Sequence, residues 1–157
     1  MKFNLSEEQI LVRDAAREFA QTELLPGVIE RDELQKFPDN LVKKMAELGF
    51  MGIMVDPKYG GSGMDTLSYA LVMEELSKVD ASASVIVSVN NSLVCFGLEA
   101  YGTEKQKQKY LTKLAAGEWI GAFCLSEPEA GSDATSQSTR AVDKGDHYLL
   151  NGTKNWI

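Results

Sequence analysis

The sequence predicts an α+β chain, with an all-helical amino-terminal domain at 1–117 followed at 118–157 by the first strands of a β-barrel or sandwich domain. Three observations carry this. Ser6 with Gln9 and Thr103 with Gln106 are capping-box patterns, in which the hydroxyl takes an amide hydrogen bond and the glutamine reaches back. Between them apolar residues recur at helical spacing. At Gly117 the period changes to alternation, with Ile120, Ala122 and Cys124 on one side of an expected strand and Gly121, Phe123 and Leu125 on the other.

In the first helix, Val12, Ala15, Ala16, Phe19 and Ala20 form the stripe, which Pro26 interrupts. A second helix is expected from near Asp39, with Leu41, Val42, Met45 and Leu48 on one face and Gly49 as its left-handed stop. Pro57 to Gly63 reads as a loop, rich in residues that tolerate positive φ, and Asp65 can cap a third helix reaching about Val79. Ala81 to Tyr101 is apolar nearly all round, so it reads as a buried central helix, and Thr103 opens a more exposed one to about Ala116. Further on, Asp143 to Asp146 is a turn between strands at 139–142 and 147–150; Asn151-Gly152 is another turn signal, and 153–157 resumes an extended run. A few strands with open edges are marginal in water, so the segment reads as a piece of a longer protein; a natural short protein pairing its edge with another chain is the second reading.

With 44% hydrophobic and 25% charged residues, the 157-residue chain has material for one sizeable core and too little charge for disorder. The formal net charge is −7, about −6 of it in residues 1–80, and no basic face emerges. Nucleic acid is therefore not an expected partner, since phosphate neutralisation needs clustered Lys and Arg. A membrane is not expected either, because no apolar run approaches the roughly 20 residues that span a bilayer. The amino terminus, Met1 to Glu8, lacks the apolar block of a secretion signal and the Arg-rich look of a transit peptide. Cys95 and Cys124 lack metal-ligand spacing and read as buried thiols in a reducing compartment. His147 is the only histidine, which leaves almost no material for histidine triads or multi-histidine metal sites.

The segment most informative about chemistry runs from Phe123 to Ala134. A strand ends at Ser126, Pro128 fixes a turn, and Gly131-Ser132 lets backbone amides approach a ligand. Such a junction can present amides and hydroxyls to a polar ring edge or a pyrophosphate; an ordinary surface turn explains it equally. It is neither a P-loop nor a dinucleotide fingerprint.

Leu125-Ser126-Glu127-Pro128 with Gly131-Ser132-Asp133-Ala134, then Leu150-Asn151-Gly152-Thr153-Lys154-Asn155-Trp156-Ile157, closely resembles the flavin-contacting region of acyl-CoA dehydrogenases. Tyr59-Gly60-Gly61-Ser62-Gly63, Glu74-Glu75-Leu76 and Tyr101 to Lys107 match that family in the same order, and Ser88-Val89-Asn90-Asn91-Ser92-Leu93 looks most like its short-chain, butyryl-CoA branch. The resemblance covers the whole chain but less than half of a full-length member, whose fold is a helical domain, a middle β-domain and a second helical domain.

The resemblance implies FAD as cofactor, with Phe123, Leu125 and Ser126 along the flavin ring and the Ser126 hydroxyl on its pyrimidine edge. It puts Gly131 and Ser132 at the pyrophosphate, Ser132 also at the CoA portion of the substrate, and Trp156 against the ring with Ile157 beside it. A core aromatic is the plainer reading of Trp156 taken alone. Val89 and Ser92 could line the acyl slot or simply pack in the helix core. In this family a carboxylate takes the substrate α-proton while the β-hydride passes to the flavin, but that glutamate belongs to the carboxy-terminal domain and no residue here corresponds to it. Glu127 is expected to brace the loop and Glu129 to face solvent.

The implied function is thus part of an FAD-dependent dehydrogenase of short-chain acyl-CoA thioesters, inactive as these 157 residues alone. Electron-transfer flavoprotein is the implied acceptor and a homotetramer the implied assembly. The implied location is the bacterial cytoplasm, or the mitochondrial matrix for a processed chain. An acyl-CoA oxidase-like flavoenzyme and a cofactor-free helical assembly module are the alternatives.

Overall fold

The computed structural model describes residues 4–157, so the first three residues of the run read above for targeting signals lie outside the described residues. The chain folds into two compact units, Met1–Gly121 and Ala122–Ile157.

The first unit is helical. Helix α1 (Glu7–Phe19) starts at the expected capping box, where Ser6 Oγ accepts from the Gln9 amide at 3.2 Å and Gln9 Oε1 from the Ser6 amide at 2.9 Å. It runs on through a π-helical turn, Ala20–Leu24, before Pro26, and buries Val12, Ala16, Phe19, Ala20 and Leu24. A short helix absent from the sequence reading, α2 (Val28–Glu33), follows Gly27 at φ +78°. It buries no residue, so no apolar stripe announces it. Helix α3 (Asp39–Glu47) buries Val42 and Met45 and stops at Gly49, whose φ of +76° suits a residue without Cβ. Leu48, expected on the same stripe, is exposed because the helix ends there.

Helix α4 (Thr66–Ser77) is capped by Asp65, whose carboxylate accepts from the Ser68 amide at 2.7 Å and from Gln9 Nε2 at 2.8 Å. Arg17 and Glu75 join α1 to α4 through two nitrogen–oxygen contacts of 3.1 and 2.9 Å. Helix α5 (Ala81–Tyr101) widens to π-helical turns over Val89–Cys95. Two expectations need correcting here. At 21 residues, α5 is long and apolar enough to cross a bilayer by length and composition; its serines and asparagines hid this by breaking the strictly apolar run. It is also not buried all round: Ala83, Ser84, Val87, Asn90, Asn91 and Cys95 are inside, whereas Val85, Leu93, Phe96 and Tyr101 are exposed. The buried asparagine amides, bonded to protein carbonyls, mark it as a core helix of this unit. Helix α6, residues 104–115, opens with the second expected capping box and ends before Gly117 at φ +69°.

The second unit holds one ladder among the described residues. Strand β1 (Arg140–Asp143) pairs antiparallel with β2 (Tyr148–Asn151), Arg140 facing Asn151 and Asp143 facing Tyr148. Each strand lies one residue beyond its expected position, since the intervening loop closes through Lys144 N–H donating to His147 O at 2.9 Å. The strand expected at 119–125 forms no ladder, nor does 153–157, because neither finds a partner strand among the described residues. Cys124, in that uncovered run, is exposed rather than buried, whereas Cys95 is buried as expected. The architecture is accordingly a helical domain followed by a small antiparallel sheet.

Candidate functional site

The loop after Leu125 is organised around a buried carboxylate. Glu127 is 4% exposed and closes a tight turn over Pro128 and Glu129, its amide donating to Ala130 O at 3.0 Å and the Ala130 amide returning to Glu127 O at 3.1 Å. A buried charge needs a counter-charge and donors for its lone pairs. Lys154 Nζ donates to Oε1 at 2.8 Å, the amide of Ser138 to Oε2 at 2.6 Å, the Ser138 hydroxyl to Oε2 at 3.0 Å, and the Thr139 amide to Oε1 at 3.1 Å. The Lys154 ammonium first, then these loop donors, hold the carboxyl well below the usual carboxylate range. The sequence reading of Glu127 as a loop brace is what the geometry shows.

The same interactions draw two distant stretches together. Lys154 also donates to Leu125 O at 3.2 Å, Gln137 Nε2 to that carbonyl at 2.7 Å, and the Asn155 amide to Ser126 O at 2.8 Å. Gly152 permits the approach: a Cβ there would lie 2.8 Å from Thr139 Cα. Asp133 caps the short turn Ala134–Ser136 by accepting from the Thr135 amide at 3.2 Å and from the Thr135 and Ser136 hydroxyls, and those hydroxyls, Ser136 first, lower its carboxyl.

Of the residues singled out from the sequence, Ser126 is half-buried and one hydrogen bond away from the residue preceding Trp156. Phe123 and Leu125 are 46% and 40% exposed, Gly131 and Ser132 exposed, and Ile157 exposed beside Trp156. Trp156 is 93% exposed on a backbone with φ +61°, so in this unit it is not a core aromatic. Val89 and Ser92 are half-buried on the π-helical part of α5, where Ser92 Oγ donates to Ser88 O at 2.8 Å. Beside them Asn90 and Asn91 are fully engaged. Asn90 Nδ2 donates to Met51 O at 2.7 Å and Leu114 O at 3.1 Å, and Asn91 Nδ2 to Phe50 O at 2.8 Å and Val87 O at 2.9 Å. Their Oδ1 atoms accept from the amides of Gly121 at 2.9 Å and Ile53 at 2.8 Å.

Two family models match the chain. "Acyl-CoA dehydrogenase, N-terminal domain" covers residues 6–118 and "Acyl-CoA dehydrogenase, middle domain" covers 122–157. The chain belongs to the acyl-CoA dehydrogenase family. Over all 157 residues it is 52% identical to the short-chain specific acyl-CoA dehydrogenase of Clostridium acetobutylicum, and it spans 41% of that relative's length. Among solved structures it is similar to a chain in the work on the electron transferring flavoprotein of Acidaminococcus fermentans and flavin-based electron bifurcation. The TM-score is 0.95 at 51% identity, over 98% of this chain and 40% of the other. It is also similar to a glutaryl-CoA dehydrogenase from Mycobacterium smegmatis in complex with FADH2, with a TM-score of 0.91 at 38% identity over 97% and 39%.

Within this acyl-CoA dehydrogenase chain, sequence reasoning passed over Lys154, Ser138 and Thr139, and gave Asn90 and Asn91 no role of their own. A signal existed for each set. A carboxylate beside a turn proline, in a segment that must bury something, calls for a cation, and Lys154 stands in the second motif. Two adjacent asparagines in an apolar helix must likewise find partners for their amides.

Proposed function

We propose that the complete protein to which these residues belong is an FAD-dependent acyl-CoA dehydrogenase that removes hydrogen from Cα and Cβ of short-chain acyl-CoA thioesters. In this reading residues 1–117 are its amino-terminal helical domain and 118–157 the first part of its flavin-contacting middle domain. The observation that carries it is the bond from the Asn155 amide to Ser126 O, which holds the Leu125–Ser126 stretch and the Trp156 stretch side by side. Uncovered apolar side chains, Phe123, Leu125 and Trp156, thereby flank backbone and hydroxyl groups. An isoalloxazine has apolar faces and a polar edge, so the residues present fit it in kind.

Bound there, FAD would supply the two-electron acceptor for the hydride leaving Cβ. The chain's own residues bind and orient. Trp156 and Ile157 back the ring, Phe123 and Leu125 lie along it, and Ser126 donates to its pyrimidine edge, where such donors favour the reduced state. Gly131 allows backbone approach to the pyrophosphate, and Ser132 hydrogen-bonds that group or the CoA portion of the thioester. Val89 and Ser92 line the acyl slot. The proton-abstracting base comes from elsewhere in the complete protein.

The similarity to the Acidaminococcus fermentans structure supports electron-transfer flavoprotein as acceptor. Family resemblance supports a homotetramer in the bacterial cytoplasm, or in the mitochondrial matrix for a eukaryotic chain. The test is anaerobic mixing of the purified complete protein with butyryl-CoA. The yellow flavin absorbance should bleach, and the reduced protein should reoxidise with an electron-transfer flavoprotein much faster than with oxygen. Rapid reoxidation by oxygen would make it an oxidase instead, and a colourless protein would end the flavoprotein reading.

A further inference from the structure

The stretch 154–156 uses its three residues in alternation. The Lys154 side chain reaches Leu125 O at 3.2 Å and Glu127 Oε1 at 2.8 Å, the Asn155 backbone reaches Ser126 O at 2.8 Å, and Trp156 projects free of the unit. One cation therefore grips the residues on either side of Ser126, while the next residue grips Ser126 itself. The carboxylate end of this grip is rigid. Glu127 is buried, closes its own turn with Ala130, and takes the amides of both Ser138 and Thr139. Gly152 against Thr139 fixes the approach of the extended stretch that delivers Lys154.

We infer that Glu127 and Lys154 form a positioning latch, which sets the distance between the Leu125–Ser126 edge and the Trp156 indole and thereby the grip on the flavin ring. The inference rests on the flavin reading above and assigns these two residues a role within it. They act through Ser126 and Trp156. Neither takes part in proton or hydride transfer. Glutamine cannot replace Glu127, because its NH2 would face either the Lys154 ammonium or the amides of Ser138 and Thr139, all of them donors. Arginine at 154 keeps the charge but presents a planar fork in place of a compact ammonium, so it holds the two oxygens at altered spacing.

The experiment uses the complete protein, its Lys154→Met, Glu127→Gln and Lys154→Arg variants, and Lys144→Met in the exposed hairpin loop as control. Three readouts are taken: the FAD dissociation constant, the shape of the bound-flavin absorbance band, and the thermal midpoint of the apoprotein. Lys154→Met and Glu127→Gln should weaken FAD by about tenfold or more, as expected when supporting groups let a site shift. Lys154→Arg should keep the apoprotein midpoint while shifting the flavin band, and Lys144→Met should change neither. If Lys154→Met fails to fold, Lys154→Arg decides. An unmoved band and unmoved affinity in that variant would overturn the latch, as would affinity losses in the other two that only track their lost stability. A wild-type protein without flavin would overturn the flavin reading and the latch's role with it. Wild type that binds FAD beside indifferent variants overturns the latch alone.

Discussion

Asn90 Oδ1 accepts the Gly121 amide at 2.9 Å, so a side chain midway along α5 holds the last residue of the helical unit. The same side chain donates to Met51 O and Leu114 O, and a single buried amide thus satisfies three backbone groups from three segments.

Asn90→Leu should therefore be among the most damaging substitutions in the helical unit. It leaves one amide and two carbonyls without partners, at about 1–3 kcal/mol for each group that water cannot reach. Urea unfolding should show a loss of roughly 2–5 kcal/mol. Asn91→Leu should behave similarly, since it strands the Ile53 amide and the Phe50 carbonyl.

Acid stability should carry the mark of Glu75. Hydrogen bonding to Arg17, reinforced by Lys78, lowers its carboxyl from 4.5 to about 2. The folded value lies below the unfolded one, so this contribution is fully present above about pH 4.5 and is lost as pH falls toward about 2. Glu75→Gln should cost about 1–2 kcal/mol at neutral pH, the partly exposed Arg17 limiting the value, and should flatten the stability profile in that acid window. Thermal melts from pH 2 to 7 on both proteins make the comparison.

The two thiols should differ sharply in reactivity. Burial pushes the Cys95 thiol up to about 12, while Cys124 is exposed. A chromogenic disulfide reagent at pH 8 should label Cys124 promptly in the folded 157-residue chain and reach Cys95 only on denaturation. Prompt labelling of both would contradict the packing around α5.

The 157 residues alone should not dehydrogenate butyryl-CoA. Glu127 lies within the flavin-like motif, yet its oxygens are occupied by Lys154 and the loop amides and its proton affinity is depressed. A general base works best with a pKa near the operating pH and a free lone pair. Turnover with added FAD and an artificial electron acceptor should stay at background. Activity that Glu127→Gln abolishes would reverse this assignment.

The features legible in the sequence were local ones. Ser6 with Gln9, Thr103 with Gln106, Asp65 and Gly49 each act within four residues and stand where the sequence put them, and the hairpin turn lies one residue beyond its expected place. Helix α2 was missed because it buries nothing, and the strand expected at 119–125 failed because alternation shows a tendency to extend, while a ladder requires a partner. The π-helical turns at Ala20–Leu24, Val89–Cys95 and Lys107–Leu111 have no composition that announces them. The site divides in the same way. Ser126, Ser132 and Trp156 were found through their motifs, but the pairing of Glu127 with Lys154 spans 27 residues and depends on the folded loop.

The central claim is that Ser126 and Trp156, held together through Asn155 and the Glu127–Lys154 pair, form one side of an FAD site. A crystal structure of the complete protein with FAD tests this most directly. The account predicts the isoalloxazine against the Trp156 indole, with the Ser126 hydroxyl hydrogen-bonded to its pyrimidine edge and the Lys154–Glu127 contact intact. FAD bound with its ring touching neither Ser126 nor Trp156 would contradict it.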